Sequence, residues 1–174
     1  MRLNSRTLFQ GRIIRLSVDD VQLPNGARCE LEIVHHPGGA AAVAFNDRDE
    51  VCLLRQYRHA IGGWVWELPA GKLEPNEAPE FTARRELQEE AGVSAHHWES
   101  LGQFIPSPGI LTERVHLFLA RDLRAVAATP ESGEVLEVHW LPLQQALARV
   151  DAGEISDGKT VVALLKLARR PQLP

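Results

Sequence analysis

The sequence predicts an α/β domain with layered helices and a mixed sheet, preceded by a small antiparallel β hairpin or sheet. Short apolar runs of strand length occur at residues 40–45 and 51–58, and helical patterns follow at 76–91, 143–150 and 160–169. Strands interleaved with helices in this way are typical of layered α/β domains. Residues 7–36, in contrast, contain strand-like segments and a turn but no helical pattern.

Composition sets limits on the function. The chain has 174 residues, 44% hydrophobic and 24% charged, which fits one soluble domain with a small extension. A net charge of −4 provides no excess positive charge for binding a nucleic-acid backbone. A metal ion could still bring an anionic substrate to the surface. No apolar stretch approaches the ~20 residues of a membrane span, and the two cysteines suit a reducing compartment. We therefore expect a cytoplasmic protein without a membrane or nucleic-acid partner.

The N-terminal extension is predicted to cover residues 1–37, and the main domain residues 38–174. The Pro24-Asn25-Gly26 turn separates two strand-like runs, and Gly38-Gly39 marks the boundary. A two-stranded hairpin is not stable alone, so this extension must pack on the main domain or on another subunit.

The main domain begins with the two apolar strands at 40–45 and 51–58. A glycine-containing segment at 61–71 then leads into the first helix. Further strands are predicted at 98–105, 113–120 and 135–141, with a Ser-Pro-Gly loop at 106–109 and a polar loop at 124–133. Two helices at 143–150 and 160–169 complete the chain.

The helix at 76–91 is the central element. Asn76 is the predicted N-cap, Pro79 suits the first turn, and Gly92 suits a left-handed C-terminal residue. Apolar residues recur at four-residue steps on one face, so this face should pack on the core.

The opposite face of this helix carries Glu86, Glu89 and Glu90 at spacings of three and four residues. Like charges at these spacings repel, and Arg85 is expected to neutralise only one of them, Glu89. A hard divalent cation relieves the remaining repulsion, because Mg²⁺ takes one or two carboxylates together with substrate phosphate oxygens. The alternative is an ordinary solvated acidic face.

The spacing of residues over the whole segment 71–93 favours the metal site over the solvated acidic face. Residues 71–93 resemble the Nudix box, which fixes a glycine, a glutamate six residues later and then an arginine-glutamate pair and a glutamate-glutamate pair. The matching positions here are Gly71, Glu77, Arg85, Glu86, Leu87, Glu89, Glu90, Gly92 and Val93. The resemblance extends less strongly over nearly the whole chain and implies the Nudix α-β-α sandwich with a mixed sheet.

The resemblance also implies roles. Glu86, Glu89, Glu90 and the carbonyl of Ala70 would bind Mg²⁺ or Mn²⁺, with more than one ion per site. The residues that would structure the box are Gly71, Glu77, Arg85 and Gly92. The general base would come from a glutamate on the late loop. Glu134 is the matching position, and Glu131 and Glu137 remain alternatives, as does a metal-ligand role for Glu134.

The substrate features resemble the ADP-ribose and nucleoside diphosphate sugar branch of the family. Arg58 in Arg55-Gln56-Tyr57-Arg58 and Glu67 before the box correspond to substrate-binding positions. Pro108 lies sixteen residues after Gly92 and is followed by Gly109, as in the substrate loop of that branch. In that branch the N-terminal sheet also helps to form a homodimer and covers the nucleobase of the other subunit.

The leading hypothesis is therefore metal-dependent hydrolysis of ADP-ribose to AMP and ribose 5-phosphate. Another nucleoside diphosphate sugar such as GDP-mannose is the main alternative within the same class. Members of the family that clear oxidised nucleoside triphosphates usually lack the N-terminal hairpin and a proline at the position of Pro108. An alternative from a different class is a Nudix-like sensor that binds a nucleotide without cleaving it, but such modules commonly lose box glutamates and none is missing here.

Overall fold

A computed structural model of the chain describes residues 1–130 and 132–170. The strands in this part are β1 (Arg2–Gln10), β2 (Arg15–Gln22), β3 (Arg28–His35), β4 (Gly39–Ala44), β5 (Glu50–Arg58), β6 (Gly63–Glu67), β7 (Ala70–Lys72), β8 (Val93–Phe104), β9 (Val115–Ala125) and β10 (Leu136–Pro142). The helices are α1 (Pro79–Ala91), α2 (Leu143–Asp151) and α3 (Gly158–Ala168). In the described ranges, no helix combines the length and apolar character that crossing a bilayer requires.

The chain forms two compact units. The smaller one comprises Met1–Gly38 and Ile105–Arg114, and the larger one comprises Gly39–Phe104 and Val115–Pro174. The sequence analysis assigned residues 105–114 to the main domain. The functional division into residues 1–37 and 38–174 stays a prediction.

The smaller unit is built on an antiparallel sheet in the order β1-β2-β3. Strands β2 and β3 form the predicted hairpin, and β1 adds a third strand that the sequence analysis did not identify. Every residue of β1 is exposed, so this strand lacks the alternation of buried and exposed positions that reveals a strand in a sequence. Two backbone hydrogen bonds, between Val34 and residues 110 and 112, hold the 105–114 segment to β3.

The larger unit is an α-β-α sandwich, as predicted. Its mixed sheet has the order β7-β4-β9-β8, in which β4 and β9 are parallel and the other pairs are antiparallel. A second, antiparallel sheet has the order β10-β5-β6. Helix α1 packs on one face of the mixed sheet, and α2 and α3 contribute to the core on the other.

Strand β4 explains how α1 comes so close to the sheet. All six of its residues are buried. Ala41 and Val43 face the core that contains α2 and α3, whereas Ala40, Ala42 and Ala44 face α1. Three alanines in succession on one face leave room for the buried Ala83 and Leu87 of α1. The helix that carries the acidic face is thereby fixed against the centre of the unit.

The two ends of α1 show one wrong prediction and one confirmed prediction. The N-cap is Ala78, without a side-chain cap, and Asn76 instead has a left-handed backbone in the preceding turn, with φ of 65°. Pro79 begins the helix because its missing N–H costs nothing there. Gly92 ends the helix in the predicted left-handed conformation, with φ of 64°.

Candidate active site

The short strand β7 lies against the acidic face of α1. The backbone N–H of Ala70 donates a hydrogen bond of 2.8 Å to Oε2 of Glu90. At the next residue, Gly71, an added β-carbon would lie 1.8 Å from Oε1 of Glu86. The absence of a side chain at Gly71 therefore lets a helix carboxylate reach the backbone of β7.

Glu90 is the most deeply buried carboxylate of this surface, with an exposed fraction of 2%. Desolvation, reinforced by the charges of Glu86 and Glu134, raises the pKa of Glu90 to about 8. The hydrogen bond from Ala70 and the charge of Arg58 oppose this rise without cancelling it. A buried carboxylate with such a pKa needs a proton or a cation at neutral pH.

Glu86 lies one turn before Glu90 and is also buried. Desolvation raises the pKa of Glu86, and the charges of Glu89 and Glu134 act in the same direction. Arg85 opposes the rise through a hydrogen bond of 2.8 Å to Oε1 of Glu86. The negative charges of this surface are thus only partly compensated by protein groups.

Arg85 joins more carboxylates than the sequence analysis expected. Its Nη1 donates to Glu89 at 3.0 Å as well as to Glu86, so the prediction that it neutralises only one helix glutamate is wrong. Its Nε and Nη2 donate to the two oxygens of Glu77 at 3.2 and 3.3 Å. Glu77 also accepts hydrogen bonds from Thr82 and from the backbone N–H of Glu74. This network ties the loop before α1 to the helix.

The late loop brings a further carboxylate to the same surface. Glu134 lies before β10, close enough to raise the pKa of both Glu86 and Glu90 through its charge. Glu137 is exposed on β10 and contacts His139 at 3.2 Å. Glu131, the third candidate for the base, lies outside the described residues. Of the two described candidates, Glu134 is the one coupled to the box glutamates.

The donor set suits a hard divalent cation. Glu86 and Glu90 offer carboxylate oxygens beside the backbone of Ala70 and Gly71, and their raised pKa values reflect negative charge with too little compensation. Within residues 1–130 and 132–170, no three Asp, Glu, His or Cys side chains converge on one point as metal ligands. Two carboxylates still suffice for an ion that takes its other ligands from water and phosphate.

A second charged cluster lies beside this surface. Arg58, at the end of β5, donates through Nε and Nη2 to the two oxygens of Glu67 at 2.7 and 3.0 Å. Lys159, at the start of α3, donates to Oε2 of the same carboxylate. Arg58 also interacts with Glu90 through its charge. The cluster thus connects the predicted phosphate-binding arginine to the box.

Glu67 is buried and bound by two protein cations, and its predicted contact with a substrate stays a prediction. Its exposed fraction is 3%, and Arg58 and Lys159 share its two oxygens. Desolvation acts to raise the pKa of Glu67, but the hydrogen bonds and charges of the two cations outweigh it and lower this pKa. Glu67 therefore stays ionised as the shared partner of two cations.

Sequence reasoning gave no role to Asp157, Lys159 and Thr160. Asp157 caps α3 by accepting a hydrogen bond of 3.0 Å from the backbone N–H of Thr160, and its other oxygen lies 3.1 Å from Lys159. The hydroxyl of Thr160 accepts a hydrogen bond of 2.9 Å from the N–H of Leu68. The available signal was the Asp-Gly-Lys-Thr run, which places a lysine in the first turn of a mainly apolar helix.

Pro108 and Gly109 belong to the smaller compact unit, in the segment Ile105–Arg114. The box, Arg58 and Glu134 belong to the larger unit. Contact of Pro108 and Gly109 with a substrate therefore stays a prediction.

Comparison with known protein families gives two matches. Residues 35–163 match the NUDIX domain, and residues 2–30 match the nucleoside diphosphate sugar hydrolase N-terminal domain. The first match covers the box, both charged clusters and the first six residues of α3, and the second covers most of the β1-β2-β3 sheet.

Individual relatives cover nearly the whole chain. An ADP-ribose pyrophosphatase of Bacillus subtilis (strain 168) is 40% identical over 95% of this chain and 91% of its own length. A methanol dehydrogenase activator of Bacillus methanolicus is 39% identical over 93% and 89%. A GDP-mannose pyrophosphatase of Citrobacter koseri is 37% identical over 87% and 85%. A crystal structure of an ADP compounds hydrolase shares the fold, with a TM-score of 0.83, 22% identity, and coverage of 97% and 91%.

Proposed function

This chain belongs to the Nudix hydrolase family, and we propose on that basis that it cleaves the diphosphate of ADP-ribose to give AMP and ribose 5-phosphate. The observation that carries the proposal is the surface formed by Glu86, Glu90 and Glu134 beside Ala70 and Gly71. Its buried carboxylates have raised pKa values and suit a cation that a diphosphate can share. An acidic surface of this kind binds an anionic substrate only through such a cation.

Nudix hydrolases need a divalent metal ion, and we propose Mg²⁺ or Mn²⁺, with more than one ion per site. Glu86, Glu90 and the carbonyl of Ala70 would hold the ions, and Glu89 would be a ligand or support one. The ions would supply positive charge at the diphosphate oxygens and acidify the attacking water. Oxygen ligands of this type are the ones that Mg²⁺ and Mn²⁺ prefer.

The protein groups would orient the substrate and move the proton. Arg58 uses two donors on Glu67 and keeps its remaining N–H groups for a phosphate oxygen. Glu134 would accept the proton of the attacking water as general base. Its support is its charge coupling to both Glu86 and Glu90, which indicates that it is near the reacting diphosphate. Arg85 and Glu77 would hold the loop before α1 in a fixed position against the helix.

The names of the relatives support ADP-ribose as the substrate and also support GDP-mannose as the alternative. The Bacillus subtilis relative carries the name ADP-ribose pyrophosphatase at 40% identity. The Citrobacter koseri relative carries the name GDP-mannose pyrophosphatase at 37% identity. Both substrates contain a diphosphate between a nucleoside and a sugar, so the metal surface and Arg58 would serve either one. The choice between them depends on groups that bind the base and the sugar.

The experiment that tests this function is a substrate panel. Purified protein is incubated with ADP-ribose, GDP-mannose, other nucleoside diphosphate sugars and nucleoside triphosphates, each with Mg²⁺, with Mn²⁺ or with EDTA. Chromatography should show AMP and ribose 5-phosphate from ADP-ribose, and no product in EDTA. Faster release of GMP from GDP-mannose would support the alternative. Binding without cleavage of any compound would indicate a sensor and overturn the proposal.

We also propose that the protein acts as a homodimer in the cytoplasm. The β1-β2-β3 sheet exposes large apolar side chains, including Leu8 and Phe9, with exposed fractions of 47% and 54%. Isolated small sheets with exposed apolar residues commonly pack on a partner. The two free cysteines, Cys29 and Cys52, suit a reducing compartment. Sedimentation equilibrium should give twice the chain mass, and a single-chain mass would contradict the dimer.

A further inference from the structure

We propose that Asp157 and Lys159, at the start of α3, are positioning residues that hold Arg58 in place for the diphosphate through Glu67. This inference rests on the proposed function, since Arg58 is proposed there to bind a phosphate oxygen. It also replaces the predicted substrate contact of Glu67 with a role in holding the arginine.

The first argument is the sharing of the Glu67 carboxylate. Arg58 approaches both oxygens of Glu67 through Nε and one Nη, which fixes the plane of the guanidinium. Lys159 donates to Oε2, the oxygen that also accepts from Nη2 of Arg58. A carboxylate held from one side only could rotate about its terminal torsion, which is broad. Lys159 adds a second contact to this carboxylate from a different element, the start of α3, so the position of Arg58 depends on Lys159.

The second argument is the exposure of the groups. The Arg58 side chain is 41% exposed, whereas those of Glu67 and Lys159 are 5% and 15% exposed. The arginine is thus the member of the cluster that a ligand can reach, and the other two lie behind it. Arg58 has five N–H groups and uses two of them on Glu67, which leaves three for a ligand.

The third argument is that contacts at the start of α3 fix the position of Lys159. Asp157 binds Lys159 through Oδ1 at 3.1 Å and caps α3 through Oδ2, which accepts from the N–H and hydroxyl of Thr160. The Thr160 hydroxyl in turn accepts from the N–H of Leu68, the residue after Glu67. The start of α3 therefore holds both the side chain of Glu67 and the backbone that leads to Ala70. One rigid helix end fixes both groups, although they lie 92 residues away in sequence.

The test is a double-mutant cycle on ligand affinity. Lys159→Met, Arg58→Ala and the double variant are titrated with α,β-methylene-ADP-ribose by calorimetry, all at the same Mg²⁺ concentration. The methylene bridge prevents turnover, and the constant Mg²⁺ concentration keeps the contribution of the metal the same in every titration. Lys159→Met should weaken affinity about tenfold in the wild-type background, the equivalent of one charge-assisted hydrogen bond, and less than about twofold once Arg58 is absent. Lys159→Arg should restore most of the affinity. Lys166→Met, an exposed lysine of the same helix, is the matched control and should change nothing.

A second variant covers the case in which Lys159→Met unfolds. Asp157→Asn keeps an oxygen for the helix cap but removes the negative charge beside Lys159. It should also weaken analogue affinity when Arg58 is present and have little effect when Arg58 is absent. Equal losses with and without Arg58 would mean that Lys159 contacts the ligand itself and would overturn the inference. Wild-type affinity in both variants, or no binding of the analogue by the wild type, would also overturn it. If the affinity losses of the two substitutions simply add while the wild type hydrolyses ADP-ribose, the inference fails and the proposed function stands. If the losses are coupled but the wild type hydrolyses nothing, the proposed function fails and the positioning role stands.

Discussion

A β-carbon on Gly71 would lie 1.8 Å from Oε1 of Glu86 and 2.2 Å from its carboxyl carbon. Gly71 is not among the glycines with positive φ, so the requirement for glycine here is one of space and not of backbone conformation. The first glycine of the box and its central glutamate therefore depend on each other. Any side chain at residue 71 must displace a carboxylate proposed to bind metal.

Gly71→Ala should accordingly lower kcat/KM by roughly a hundredfold, the cost expected when a catalytic group moves by about 1 Å. The variant should remain folded, because Glu86 can swing towards solvent. Gly63→Ala is the matched control, since a β-carbon on Gly63 meets nothing within 4 Å and this residue also lies in a strand. Steady-state kinetics and circular dichroism of both variants check this, and full activity of Gly71→Ala would contradict the close approach.

Glu90→Gln should abolish most turnover and preserve the fold. The amide keeps nearly the same shape and can still accept the hydrogen bond from Ala70, but it cannot bind a divalent ion as a carboxylate does. We expect kcat to fall more than about a hundredfold. Glu80→Gln, on the same helix and paired with Arg84, should retain activity. Unchanged turnover in Glu90→Gln would refute the assignment of this carboxylate to the metal.

The raised pKa of Glu90 predicts a pH dependence of stability in metal-free protein. Its ordinary pKa is 4.5, and its pKa in the fold is about 8. Between these values the folded chain holds a proton that the unfolded chain has released, so the free energy of unfolding decreases as pH rises from about 4.5 to about 8. This contribution is fully present below pH 4.5 and is lost above pH 8.

Urea unfolding in EDTA at several pH values measures that contribution. The difference in free energy of unfolding between wild type and Glu90→Gln should fall with pH across this window, by at most about 1.4 kcal/mol per pH unit. Mg²⁺ should flatten the wild-type curve, because the ion replaces the proton. A difference that stays constant with pH would show that Glu90 is ionised in the metal-free fold.

Glu134→Gln should slow hydrolysis by about 10² to 10⁴, the range for loss of a general base, while affinity for the substrate analogue stays near the wild-type value. Glu137→Gln is the matched control on the same segment, because Glu137 is exposed and contacts His139. Single-turnover rates and analogue titrations separate chemistry from binding. If Glu134→Gln loses little activity, the base is a different residue, and Glu131 becomes the first candidate.

The sequence predicted the elements whose signals are local. The acidic face of α1, its left-handed end at Gly92 and the buried strand β4 follow from spacing and composition within a few residues. The N-cap prediction failed at Asn76 because Pro79 can begin the helix without a side-chain cap, which a good capping residue nearby does not reveal.

The parts that were missed depend on contacts between distant residues. The shared partner of Arg58 and Lys159 is Glu67, which is 92 residues from Lys159, and no periodicity records such a contact. Arg85 was assigned one partner because spacing on a helix counts only neighbours at three and four residues. The structure adds Glu86, the next residue, and Glu77, which lies outside the helix.

The most direct test of the central claim is anomalous diffraction from crystals grown with Mn²⁺ and α,β-methylene-ADP-ribose. The account predicts manganese peaks within coordination distance of Glu86 and Glu90, with the ligand's diphosphate bridging the same ions. A bound analogue whose diphosphate lies away from these carboxylates, with no manganese beside them, would contradict it.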